Sequence, residues 1–316
     1  MGLHEDRPVP RRPCRLLAVL ASAVALAVMA PPPAGAAVES CAPRLRAELN
    51  VGTVGAPLVT LTINGHAAHL LLDTGAERTT LTEAAARRLG LLADFDHAQT
   101  MRGIGGNVAA GMVKPELVSA GGSKLAGVTF AVVPVHLPMI GEQQVDGLLG
   151  ADMLGAYDID LDIGHHLILL YDPPACAAPD LPWGRGYDAV EAQLSRHLHM
   201  AFPITLDGHK LTAFIDTGAQ VSLIDADASS RLGVTEAALV QDEAVIMQGV
   251  STEVITAREH RFARLGMADL VLLAPTVAVT PLKLDDADLL MGTDVLMRER
   301  IWLSYATRRI YVARPE

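Results

Sequence analysis

The chain has 316 residues, half of them apolar and 19% charged, which allows one large or two modest packed domains and excludes a disordered chain. Its formal net charge is −11, and no extended Lys/Arg run follows residue 36, so nucleic acid and anionic membrane surfaces are not expected partners.

Arg7, Arg11, Arg12 and Arg15 lead into the apolar run "LLAVLASAVALAVMA" (16–30), and a proline-rich break and "AGA" (34–36) follow. Charged, apolar and small-residue regions in that order predict a secretory signal spanning 1–36, cut after Ala36. The apolar run falls short of the roughly 20 residues of a spanning helix. The expectation is an exported chain, periplasmic or secreted, with no membrane contact after cleavage. Cys14 leaves with the signal. Cys41 and Cys176 remain, and an even pair in an oxidising compartment predicts a disulfide.

Beyond the signal the chain repeats itself. "INGHAAHLLLDTGAERTTLTEAAARRLGL" (63–91) aligns with "LDGHKLTAFIDTGAQVSLIDADASSRLGV" (206–234) at a constant offset of 143. Further on, "VDGLLGADML" (145–154) matches "ADLLMGTDVL" (287–296), with Gly150 answering Gly292. Each copy ends in a strand-like pair, 157–171 and 298–313. Two copies of this length are a duplicated lobe, a dimer written into one chain, rather than a solenoid. The expected domains are 37–172 and 187–316, joined by the Pro- and Gly-rich linker 173–186.

Within each copy, short apolar runs flank Asn64-Gly65 and Asp207-Gly208, which are hairpin signals. Thr82 and Asp225 are placed to cap short helices that stop at Gly90 and Gly233. A second short helix is expected near Asp152 and Asp294.

Asp73 ends the apolar run "HLLLD", where a buried, unpaired carboxylate is costly. Taken alone, Asp73-Thr74-Gly75 reads as a turn. The repeat places a second Asp-Thr-Gly-Ala at 216–219, and a two-fold relation sets equivalent residues across one axis. If the axis passes near these loops, Asp73 and Asp216 share a proton, one carboxyl pushed down and the other up. The charged member can then activate water while the neutral one donates to a carbonyl. Thr74 and Thr217 can bond across the axis, Gly75 and Gly218 let N–H groups approach the carboxylates, and Ala76 and Ala219 keep the floor small.

These paired DTGA segments, each followed by an apolar-apolar-Gly strand ("GLLGAD", 147–152; "LLMGTD", 289–294), resemble the aspartic proteases of the pepsin and retroviral type. The bacterial exported retropepsin-like group is the closest in pattern. The resemblance implies a mainly β, two-lobed acid-protease fold of small closed β-barrel lobes with short helices, and strands carrying Gly150 and Gly292 that support the active loops. It implies a monomer with an intramolecular pseudo-dimer, a peptide or protein substrate, and an aspartic endopeptidase activity that needs no cofactor. It also implies flaps over the substrate. "MRGIGGNVAAG" (101–111) fits in copy one, with Gly103, Ile104, Gly105 and Gly106 at the tip. "MQGVSTEV" (247–254) is its counterpart, keeping Gly249 and Val250 but placing Ser251 and Thr252 where glycines stood. The flap Tyr of pepsin-type enzymes is visible in neither.

His165-His166 and the pair His197/His199 lack the third and fourth ligands a zinc site needs, so solvated or packed histidines are expected and no metal. Two other functions compete with the enzyme: a non-catalytic module that holds peptides in the same cleft, and a processing factor that acts only with a partner.

Overall fold

Each copy begins with the hairpin its turn residues demand. Strands Leu58–Ile63 and His66–Leu72 pair antiparallel with Ile63 opposite His66. Asn64 (φ 49°) and Gly65 (φ 87°) both occupy the left-handed region between them. That is the two-residue turn whose twist matches the strands. Copy two repeats it with strands Met200–Leu206 and His209–Ile215 around Asp207 (φ 50°) and Gly208 (φ 81°). In Met200–Leu206 the even-numbered residues are buried, while Pro203 and Thr205 face outward, the period of a strand with one face on a core. This is the computed structural model of the chain; it describes residues 41–52, 56–103, 106–127, 129–174, 176, 179–183, 186–248 and 254–314. The expected signal segment lies outside them. Among the described residues no helix is long and apolar enough to cross a membrane.

The strand bearing each DTGA is held from the side by the late apolar strand. Gly147–Leu149 runs parallel to His66–Leu72 and antiparallel to Thr80–Thr82, which in turn runs parallel to Phe130–Val133. Leu289–Met291, His209–Ile215, Leu223–Asp225 and Thr276–Thr280 repeat the arrangement. The chain then turns into the capped helices. Thr82 accepts from Ala85 N–H ahead of Glu83–Arg88, and Asp225 accepts from Ala228 N–H ahead of Ala226–Arg231. Gly90 (φ 70°) and Gly233 (φ 85°) follow them. The short helices Ala151–Leu154 and Thr293–Leu296 begin after Gly150 and Gly292. The helix Glu236–Leu239, capped by Thr235, belongs to copy two and was not foreseen.

The molecule is mainly β, with two lobes of one strand order. Nine strands of copy one run from the hairpin Asp94–Gly103/Gly106–Val113 at one edge to Val118–Ala120 and Ser123–Lys124 at the other. Copy two has the equivalent order from Glu243–Gln248/Val254–Arg261 to Arg264–Met267 and Leu270–Leu273. The expectation of closed barrels is corrected: both sheets end in different strands instead of returning on themselves. The physical reason is that one edge is drawn out as a long hairpin, and the first and last strands of each copy leave for a third sheet.

That third sheet joins the copies. Its order is Arg44–Asn50, Leu167–Asp172, Asp158–Asp162, Ile301–Ser304, Arg309–Ala313, Tyr187–Glu191. Three strands come from each half, mirrored about the antiparallel pair in which Asp158 faces Ser304 and Leu161 faces Ile301. An antiparallel pair of equivalent strands is a local two-fold axis, the one the repeat predicts. Trp302 is fully buried at this seam. The stretch read as a linker packs on it: Trp183 stacks edge-on to Trp302 at 6.3 Å and its Nε1 donates to Asp160 at 3.0 Å. Arg300 forks onto the same buried carboxylate at 3.0 and 2.7 Å, so Asp160 is buried and paired. Cys41 and Cys176 are half-buried, and Asp180 N–H donates to the Cys41 carbonyl at 3.1 Å, which draws the two segments together.

Candidate active site

Both DTGA loops meet on the axis. Asp73 N–H donates to Leu149 O at 3.0 Å and Asp216 N–H to Met291 O at 2.9 Å, which fixes each loop to the supporting strand. The threonines lock the loops to one another. Thr74 Oγ1 donates to Ile215 O (2.8 Å) and accepts from Thr217 N–H (3.1 Å). Thr217 Oγ1 donates to Leu72 O (2.6 Å) and accepts from Thr74 N–H (3.1 Å). All four bonds cross between copies and are buried, where a lost partner costs most.

The carboxylates are held alike. Asp73 Oδ1 accepts from Gly75 N–H at 3.0 Å and Ala76 N–H at 2.9 Å. Asp216 Oδ1 accepts from Gly218 N–H at 2.8 Å and Ala219 N–H at 3.2 Å. A Cβ on Gly75 would overlap the Asp216 carboxyl, and one on Gly218 the Asp73 carboxyl. Each glycine therefore presents its bare Cα face to the opposite acid. That is the direct geometric statement that the two acids share one site.

Burial is the largest cause holding Asp73 well above the usual carboxylate range. The charge of Asp216 and the bond between the two carboxyls push the same way, against the Ala76 and Gly75 N–H groups. Burial also raises Asp216, but Gly218 N–H, the bond with Asp73, the charge of His199 and Ala219 N–H all oppose it. Both carboxyls are thus raised, so the pair holds a proton at pH values where free carboxyls have lost theirs.

The strands of Gly150 and Gly292 pass so close behind the loops that a Cβ on Gly150 would meet the Arg78 carbonyl carbon at 2.5 Å, and one on Gly292 the Val221 carbonyl carbon at 2.7 Å. Sequence reasoning missed the polar braces beside them. Asp152 Oδ1 accepts from Thr79 N–H (2.8 Å) and Oγ1 (2.6 Å), and Thr79 Oγ1 accepts from Gly150 N–H (3.1 Å). In copy two Ser222 Oγ donates to Asp294 (2.8 Å) and accepts from Gly292 N–H (3.0 Å). The signal was available: Thr79 and Ser222 stand at the repeat offset, and a Gly-x-Asp recurs late in both copies.

Of the flap residues, Gly103 ends one strand of the first hairpin opposite Gly106, whose φ of 133° suits only glycine. Ile104 and Gly105 lie outside the described residues, as do Gly249 and Val250 of the second hairpin. Val245 and Met247 on that hairpin, and Ala219 and Val221 of the active loop and its continuation, all pack against one apolar cluster of Phe214, Leu223, Ala257, Ala278 and Leu290, so hairpin and site share a root. His197 and His199 are 6.0 Å apart. Their side-chain polar contacts are with Glu77 and Arg196 and with Asp286 and Gly75, which sequence reasoning did not foresee, since copy one has no counterpart histidine. Among the described residues no group of three or more His, Cys, Asp or Glu gathers to hold a metal.

Residues 59–153 and 193–304 each match a family model described as aspartyl protease. Each copy of the repeat thus resembles an aspartyl protease domain. One DTGA and one supporting glycine strand fall in each. Curated relatives include the Protein DDI1 homolog 2 of Homo sapiens, 28% identical over 110 residues, 34% of this chain and 26% of that protein. The UBA domain-containing protein Mud1 of Schizosaccharomyces pombe is 33% identical over 95 residues, 30% of this chain and 27% of that protein. The DNA damage-inducible protein 1 of Eremothecium gossypii is 28% identical over 142 residues, 45% and 26%. The matched stretches span about a quarter of these relatives' length.

Proposed function

We propose that the chain is an exported, single-chain aspartic endopeptidase of the retropepsin-like kind found in bacteria. The observation that carries this reading is the glycine-faced carboxyl pair: Asp216 buried and Asp73 half-buried, each set against the other copy's loop, and both held above the usual carboxylate range. Ionised Asp216 takes a proton from water as the water oxygen bonds to the peptide carbonyl carbon. Protonated Asp73 donates to the carbonyl oxygen, which carries the displaced electron pair. Collapse of the tetrahedral species expels the amine with the proton held by Asp216, a hydroxyl proton of the diol returns to Asp73 as the carbonyl re-forms, and the pair is left with its single shared proton. Substrate lies extended between the lobes under the two hairpins, and the apolar residues rooted there favour apolar side chains beside the cut bond. Export rests on the N-terminal pattern, and with it a Cys41–Cys176 bridge, which an intact mass without reduction tests directly: two alkylatable thiols rule the bridge out.

The activity is tested by a peptide-library cleavage assay from acidic to near-neutral pH, with Asp73→Asn and Asp216→Asn as controls. Cleavage by the wild type that disappears in both variants is expected. Cleavage that survives in either sinks the two-carboxylate mechanism, and peptides bound but never cut favour a binding module.

A further inference from the structure

The hairpin from Gln193–Leu194 into Met200–Leu206 turns through 195–199, and this turn reaches the opposite lobe. Leu198 sits at φ 64°, a strained backbone for a leucine, and Ser195 Oγ accepts from both His197 N–H and His199 N–H at 3.1 Å. The result aims two imidazoles at the first lobe. His199 lies flat on Phe214, centroids 4.3 Å apart and planes 6° from parallel, two residues ahead of Asp216. Its Nε2 is 2.9 Å from the Gly75 carbonyl oxygen, an acceptor only, so Nε2 carries a proton. Its Nδ1 is buried without an aligned hydrogen-bond partner and stands 2.9 Å from Asp286 Oδ2. A bare lone pair that close to a carboxylate oxygen repels it, whereas a second proton makes an ion pair. Asp286 is itself fixed by Ser195 Oγ at 2.7 Å.

The ring therefore stands between Asp286 and Gly75, and Gly75 is the residue whose bare face meets the Asp216 carboxyl. The other titratable and charged groups around it are Asp73, across the same glycine, and His197, whose Nδ1 is 3.2 Å from Glu77 of the first lobe and whose Nε2 accepts from Arg196 Nε at 3.0 Å. Copy one has Ala56 at the position equivalent to His199. We propose, resting on the reading of this site as a peptidase dyad, that His199 with Asp286 is a positioning pair that breaks the two-fold symmetry of the acids, placing the negative charge on Asp216 and the proton on Asp73. A cation on that side favours every ionised form of the dyad, so it sets the activity profile at lower pH than the bare pair would have.

Two variants of the full chain separate the parts. Asp286→Asn leaves the imidazole, its stacking and its bond to Gly75 in place but removes the anion that holds the second proton. His199→Phe keeps the stacking and removes the charge. Both should move the pH profile of kcat/KM upward by about one pH unit, hence about tenfold lower activity at a fixed pH on the acid limb, with KM little changed. Unmoved limbs in folded Asp286→Asn, or a loss carried by KM alone, overturn the proposal. If the wild type cuts no peptide, the peptidase reading fails separately. Carboxyl-carbon NMR then decides on the same variants: an upward-moved Asp216 titration in Asp286→Asn upholds the positioning role, and an unmoved one refutes it.

Discussion

The two lobes are nearly interchangeable on the axis and unlike one turn away from it. On the axis each Asp takes the same two loop N–H bonds, each Thr makes the same crossed pair, and each late acid braces the same Thr or Ser position. Off the axis, copy one pairs Gly103 with Gly106, while copy two spaces its hairpin from Gln248 to Val254, adds a helix at Glu236–Leu239, and alone carries His199. The difference has a steric cause. A residue on the axis packs against its own counterpart, so a change there disturbs both copies, whereas the periphery, the His197–His199 turn excepted, is freer to differ. The largest test of this is Gly75→Ala against Gly218→Ala. Each new Cβ would overlap an acid across the axis, and each should cut kcat/KM by roughly 10³-fold, some 4 kcal/mol of barrier, with the fold retained. Equal losses uphold the equivalence of the loops; a loss in one variant only breaks it.

The crossed threonines come next. Thr74→Val keeps volume but strands Thr217 N–H and Ile215 O in the dry interface, and Thr217→Val strands Thr74 N–H and Leu72 O. Two unsatisfied buried groups apiece predict about 2–4 kcal/mol of lost stability in denaturant unfolding, equal for the two variants, and largely restored by Ser. A cost below the ordinary scatter of surface substitutions would mean that the loops are held by packing instead.

The acids themselves sharpen the comparison, because here the periphery reaches the axis. Asp73 is raised above the unfolded value, so folding favours its protonated form. Its contribution to stability is complete below the unfolded value, about 3.9, and is lost as pH rises through the raised folded one. Asn cannot ionise, so Asp73→Asn should gain on the wild type in melting temperature as pH climbs from about 4 toward neutrality, with little difference in acid. Asp216 is raised too, but more of its neighbours oppose the rise, so Asp216→Asn should show a smaller gain. Identical pH slopes would remove the asymmetry assigned to His199.

What could be read from the sequence divides along the same line. The hairpin turns, both caps and the meeting of Asp73 with Asp216 were legible because each is written twice, at offset 143, with residue types that have one mechanical use. The braces at Asp152 and Asp294 were written twice as well, but their partners Thr79 and Ser222 look like ordinary loop residues until the late strand is laid beside them. The open lobes, the packing of Trp183 against the seam and the reach of His199 were not legible. Each depends on which strands leave one sheet for another, and that follows from tertiary pairing, which local pattern does not encode.

The smallest expected effect concerns the two caps, which are equivalent in place but different in chemistry. Thr82 offers a neutral hydroxyl to Ala85 N–H at 3.1 Å; Asp225 offers a carboxylate to Ala228 N–H at 2.7 Å, with Lys283 3.7 Å away. Both helices span six residues, so neither has much intrinsic stability and each depends on its first turn being satisfied. Thr82→Ala should cost about 1 kcal/mol, the usual value of a lost cap. Asp225→Ala should cost somewhat more, because an anion also interacts with the helix dipole, and that excess should shrink in high salt while the Thr82 cost does not. Denaturant unfolding of both variants at low and high salt separates the contributions: a salt-independent difference would assign the excess to the geometry of the bond, and no difference would make the carboxylate equivalent to the hydroxyl it replaces.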